Sequence, residues 1–336
     1  MNIQKRLARK VIFPFITGLG MEKILRSGAT GSTINLMFHG VSSNDSSSFS
    51  PRHIQANQFE RLLRYLKKEF LIISLSEAFE MNRSGSRPEK KCITISFDDG
   101  YRNNLTNALP LLSQYGVKTT FFISGICTEP METRVLWADI IACLKKFHWH
   151  EVIHFGEKVF VNFLEEPTGI HLENYIKTMN PAGRTANLET LVSKFDLNNK
   201  IRSIPAEWWQ IMDKAELKEL SISPLVEIAS HGYNHYNLGD IERTEAYADM
   251  QKSKVLLEGA VEKEIDMIAY PDGSYTPETK DDAAQIGFVN QLAVKYRYPE
   301  DRIDQRILNR YGVSATTTYH SNVFFINKAF KSMGYN

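Results

Sequence analysis

Two hydrophobic rhythms alternate along this chain. Short runs of apolar and β-branched residues, "TINLMF", "LIISL", "CITISF", "KTTFFIS", "VEIAS", "IDMIAY" and "RYGVSA", have the length and composition of strands. Between them the apolar positions spread to helical spacing, so that Phe59, Leu62, Leu63 and Leu66 share one face of a helix over 55–69. Further helices are expected near Glu77–Asn82, over Asn103–Tyr115, and near 242–260 and 277–286. Asp213, with Glu216 three residues on, has the form of a helix N-terminus in which each side chain satisfies a free backbone N–H of the other. Strands alternating with helices pair in parallel, which predicts a closed or doubly wound α/β fold.

The rhythm breaks over 127–205, where turn signals, Trp137 and "FHWHEVIHF" intervene, and this stretch is expected to be an insertion. Its histidines His148, His150 and His154 read as a solvated strand face rather than a second metal site. Residues 1–30 form a basic amphipathic segment, expected to rest on a membrane surface, because its apolar run is interrupted by Pro14 and falls well short of the roughly 20 residues a spanning helix needs. The expected compartment is the cytoplasm, with export left open.

Over 336 residues, 43% hydrophobic and 24% charged, the net charge is only +1, so no single-sign field is present to hold a nucleic acid. Cys92, Cys127 and Cys143 are too few and too widely spaced for a disulfide framework or a Cys-x-x-Cys metal pair.

In a parallel α/β sheet, the loops after the strands gather on one face and carry the site. Three strand ends here are polar: Asp98-Asp99-Gly100, "SHGYNH" with His231 and His235, and "YPDGSY". Adjacent strand residues point to opposite sides, so Asp98 and Asp99 are expected to do two different jobs. One carboxylate and two imidazoles make a three-ligand divalent-metal site, and the second carboxylate is left free to take a proton.

"TISFDDGY" and "ASHGYNH" resemble the first two motifs of the polysaccharide deacetylases, the carbohydrate esterases related to the NodB chitooligosaccharide deacetylases. Arg102 and Asn104 stand where that family continues its first motif. The resemblance implies a distorted barrel of seven or eight β/α units with an inserted subdomain, laid out as residues 31–320 followed by a tail at 321–336. It implies Asp98 as general base and Asp99, His231 and His235 as metal ligands. Zinc is the default ion, and iron, cobalt or nickel also suit two histidines and one aspartate. The reaction implied is removal of an N-acetyl group from a sugar, with a bell-shaped pH profile.

Two features depart from the family pattern. Where many members have Arg-Pro-Pro-Tyr, this chain has Ala269-Tyr270-Pro271-Asp272, so the arginine that orients the base is absent, while the backbone N–H at Asp272 can still help hold an oxyanion. The late Leu-x-His motif has no clear counterpart. His320 is the one late histidine, whereas His39 ends the strand "TINLMF" and is expected to replace the missing acid that protonates the departing nitrogen.

Each piece alone has a plainer explanation. Asp-Asp-Gly is often only a turn, histidines at strand ends are commonly held by backbone carbonyls, and Trp137, Trp208 and Trp209 are more often packing than sugar platforms. Jointly and in order, the motifs favour the enzyme. The alternatives are an O-acetyl carbohydrate esterase, an iron oxygenase, and a barrel that binds metal and sugar without turnover.

Overall fold

The computed structural model describes residues 8–26, 31–130 and 133–330. Eight parallel strands form its centre: β1 (Thr33–Phe38), β2 (Cys92–Phe97), β3 (Thr119–Ile123), β4 (Val226–Ser230), β5 (Met267–Ala269), β6 (Asn290–Ala293), β7 (Ile307–Asn309) and β8 (Tyr311–Gly312). Their spatial order is β7-β6-β5-β4-β3-β2-β1-β8, and a two-residue strand, Leu71–Ile72, adds to the start of β2 off this path. The two edge strands are successive parts of one stretch. Residues 307–309 pair with β6, residues 311–312 pair with β1, and Arg310 lies between them. Of the run expected as a strand, "RYGVSA", only Tyr311–Gly312 is one, and the strand at the opposite edge, Ile307–Asn309, lies just before it, so this one stretch brings the two edges together and the sheet becomes a nearly closed (β/α) barrel.

All six residues of β2 are buried, as required of a strand covered on both faces. Ile93, Ile95 and Phe97 face outward to the helices and pack with Phe59, Leu62, Leu63 and Leu66, the helical stripe legible in the sequence. Cys92 faces the other way and joins Phe122, Ala229, Met267, Leu292 and Leu308, a cluster drawn from strand after strand around the interior. Thr94 and Ser96 share this inward face, and their hydroxyls donate to Asn35 Oδ1 at 2.9 Å and to the Leu36 carbonyl at 3.0 Å. The helix Lys214–Ile222 begins at Asp213, whose side chain accepts from the Glu216 N–H at 2.9 Å, a cap of the kind that contributes about 1 kcal/mol.

Between β3 and β4 lies a subdomain with its own core, running from Val135 to Trp209. It comprises the helix Trp137–His148, a four-stranded sheet within 152–171, and the helices Leu172–Thr178, Pro181–Lys194 and Leu197–Ile201. Phe49, from the polar loop after β1, inserts into that core. The histidine-rich stretch is not one strand. Trp137, Ile141 and Leu144 keep helical spacing up to His148, and only His154 lies on a strand, Val152–Phe155. Within the expected C-terminal tail, Val323, Ile326 and Ala329 are buried side chains of a helix, Tyr319–Ala329. Residues 331–336, like 1–7 and 27–30 of the N-terminal segment, lie outside the described residues.

Candidate active site and metal centre

Asp98 continues the inward-facing series Cys92, Thr94, Ser96. Asp99 should then point outward, but its backbone leaves the strand at φ +77°, in the left-handed region. That turn defeats the alternation, and both carboxylates reach the same place: Nε2 of His231 lies 3.8 Å from Asp98 Oδ2 and 3.6 Å from Asp99 Oδ1. Gly100, at φ +85°, completes the turn, and a Cβ there would press on Ile123.

His231 follows β4 directly. Its Nδ1 meets the Ala269 carbonyl at 2.8 Å, so the proton sits on Nδ1 and the Nε2 lone pair faces the aspartates. His235 takes φ +53°, and its Nε2 lies 3.1 Å from Asp99 Oδ1. The loop between the histidines is fixed by Asp249, whose carboxylate accepts from the backbone N–H of Tyr233 at 2.7 Å and of Asn234 at 3.1 Å.

One ligand atom from each of Asp99, His231 and His235 lies within 4.8 Å of the other two. Asp99 Oδ1 is buried and, apart from the 3.1 Å approach of His235 Nε2, has no hydrogen-bond donor. A buried carboxylate oxygen facing two imidazole nitrogens fits a divalent cation. Burial opposes the charge on Asp99, but His235, His39 and His231 outweigh it and hold the carboxyl below its ordinary range. Burial pushes His231 down to about 4, which keeps it neutral and able to ligate.

An arginine does meet Asp98, but from elsewhere in the chain. Arg310, buried at the seam between β7 and β8, donates from both terminal nitrogens to the two oxygens of Asp98, at 2.6 and 2.8 Å, and lies over the Phe122 ring. Burial alone would raise the Asp98 pKa, and Arg310 with His231 reverses the direction, so the carboxylate stays ionised. Sequence reading missed Arg310 because it sits in no motif; the signal available was an arginine directly after a short apolar strand.

A cavity of about 500 Å³ opens onto this cluster, with His39, Asp99, His235, Asp272, Trp137 and Lys177 in its lining. The structure thus brings His39 to the site, whereas His320 lies on the C-terminal helix with its Nδ1 2.6 Å from Thr17 Oγ1. Behind His39 the chain is tightly packed: a Cβ on Gly40 would fall 2.1 Å from Nδ1 of His53. Asp272 adopts φ +53°, and its carboxylate pairs with Lys177 of the inserted subdomain at 2.8 Å. Arg102 instead pairs with Glu216 at 2.6 Å, and Asn104 is buried.

The subdomain also supports the site. Arg184, wedged between the rings of Trp137 and Tyr236, reaches the carbonyls of Asn234 and His235 at 3.4 Å. Asp139 on its first helix ties Arg52, another cavity residue, to the Tyr101 hydroxyl. Trp209 is core, Trp208 is partly buried beside it, and Trp137 both packs and faces the cavity.

The family model for polysaccharide deacetylase matches residues 85–290. Over 91 residues the chain is 34% identical to YxkH of Bacillus subtilis (strain 168), which carries the polysaccharide deacetylase name. The match covers 27% of this chain and 31% of that protein, so the chain spans about a third of the curated relative's length. The fold is shared with the deacetylase PplD of Streptococcus pyogenes, solved in complex with acetate, at TM-score 0.56 and 15% identity over 90% of this chain and 98% of that one. IcaB from Ammonifex degensii is similar in the same way, at TM-score 0.56 and 16% identity over 89% and 98% of the respective chains.

Proposed function

This chain belongs to the polysaccharide deacetylase family, and from that premise we propose that it hydrolyses the N-acetyl group of a sugar in a polysaccharide or saccharide precursor, with Asp99, His231 and His235 holding a divalent ion, zinc by default. When bound, the ion supplies Lewis acidity, polarising the acetyl carbonyl and acidifying water. Asp98, ionised and gripped on both oxygens by Arg310, takes the proton of the attacking water. The backbone N–H at Asp272 offers a donor to the developing oxyanion. His39 protonates the departing nitrogen, and Trp137 with the subdomain walls off solvent around the sugar.

The observation that carries this reading is the division of labour between adjacent aspartates. One faces two imidazoles and its inner oxygen meets no donor besides them, while the other is pinned by a buried guanidinium. A barrel that only bound metal and sugar would have no use for the second arrangement.

The test is acetate release from N-acetylglucosamine oligomers, with and without chelator, for the wild type and Asp98→Asn. Chelation should abolish release, and the variant should lose about 10²–10⁴-fold in kcat while retaining its metal by atomic absorption. Undiminished release from Asp98→Asn would refute the assignment. His39→Ala at full turnover would remove His39 from the acid's role.

A further inference from the structure

We propose that the N-terminal helical segment is a docking surface for an anionic lipid bilayer, a property independent of the reaction assigned above. Residues 8–26 form three short helical pieces laid on the outside of the barrel, against the helices Ala56–Glu69 and Tyr319–Ala329. Their inner side is anchored: Phe13 stacks on Phe324 at 4.6 Å, Thr17 meets His320, and Arg26 pairs with Glu69 at 2.7 Å. Their outer side is apolar and uncovered. Val11, Ile12, Phe15, Leu19 and Met21 are each between 44% and 65% exposed. Single exposed apolar residues are ordinary on protein surfaces, but five within one short stretch make a patch that marks an interaction.

Charge identifies the occupant. Residues 1–26 contain six basic side chains, Lys5, Arg6, Arg9, Lys10, Lys23 and Arg26, against one acid, Glu22, in a chain whose net charge is only +1. Glu22 is buried. A groove beside Leu19 is lined by Lys23, Arg61, Arg64 and Lys68 together with Glu22 and Glu69; Glu69 pairs with Lys23 and Arg26, and the exposed Arg61, Arg64 and Lys68 adjoin the apolar patch. Apolar side chains set among cations complement acyl chains beneath anionic headgroups. Among the described residues no helix is long and apolar enough to cross a membrane, and the pieces lie along the surface.

The full chain is mixed with vesicles of phosphatidylcholine containing 30% phosphatidylglycerol, or of phosphatidylcholine alone, and bound protein is measured by sedimentation. Binding to the anionic vesicles should be at least tenfold tighter and should weaken with salt. F15D/L19D and, separately, R64E/K68E should each reduce it at least tenfold while acetate release from soluble oligomers stays unchanged. Equal binding to both vesicles, or unaltered binding by both variants, overturns the proposal. So does a lipid-free dimer that F15D/L19D abolishes, which would assign the patch to a second copy of the chain.

Discussion

Asp98 offers both oxygens to a guanidinium that reaches it from 212 positions further along the chain. A planar fork of donors holds a carboxylate in one plane, which an ammonium cannot do. Arg310→Lys should therefore keep the fold and the metal but lose about 10–100-fold in kcat with little change in KM, the usual scale for a group that positions a reacting side chain. Arg310→Met leaves a buried carboxylate without its partner and should also lower Tm, since breaking such a pair costs roughly 3–5 kcal/mol. Steady-state kinetics beside a melting curve separates the two effects, and equal kcat in wild type and lysine variant would remove Arg310 from the mechanism. At this scale the sequence was most readable where chemistry is local. Asp98 and Asp99 are neighbours, and His231 and His235 lie in one short loop. Arg310 meets them only because the sheet curls round, and no spacing rule reports that. The alternation rule also misled, because Asp99 escapes it by leaving the strand in the left-handed region.

Loops, rather than strands, set the angles of the proposed site residues. Asp99, His235 and Asp272 all have positive φ, a conformation that costs a non-glycine residue of order 1 kcal/mol and persists only where the surroundings hold it. For His235 the hold is Asp249, on the helix Arg243–Val261, whose carboxylate caps two backbone N–H groups of the loop. Gly232 allows this approach, since a Cβ there would fall 2.8 Å from Asp249 Oδ1. Asp249→Ala should weaken metal affinity about 10–100-fold with the barrel intact, measured by chelator competition alongside circular dichroism. An unchanged affinity would mean that the loop keeps its shape unaided. Helices announced by an apolar stripe or a capping pair, such as Ala56–Glu69 and Lys214–Ile222, were readable before any fold was known. Asp249 was not, because its partners are backbone groups and leave no trace in residue type.

The whole molecule depends on a junction where His53 links the barrel to the subdomain. Its Nε2 meets the Trp208 carbonyl at 2.8 Å and its Nδ1 meets Asn103 at 3.0 Å. Burial, helped by Arg52, pushes its pKa down to about 3 from an ordinary 6.5. Below 6.5 the unfolded chain therefore takes a proton that the folded one refuses, and stability falls with pH until about 3. Asp139 and Asp249, which burial raises to about 6, have the opposite sign and add stability as pH drops through that value. The informative quantity is thus a difference: between pH 6.5 and 4.5 the wild type should lose roughly 2 kcal/mol more than His53→Gln in urea unfolding. Parallel curves would show that His53 takes up its proton at the same pH folded and unfolded. The interruption of the strand–helix rhythm revealed that a subdomain exists. It did not reveal that Arg184, Lys177 and Asp139 reach back to the site, because those contacts depend on where an independent core is set down.

The seam at Arg310 ties the proposed catalysis to completion of the ring. The residue that spans the two rims of the sheet is also the one that grips the proposed base, so Asp98 has its guanidinium only where both rims are docked.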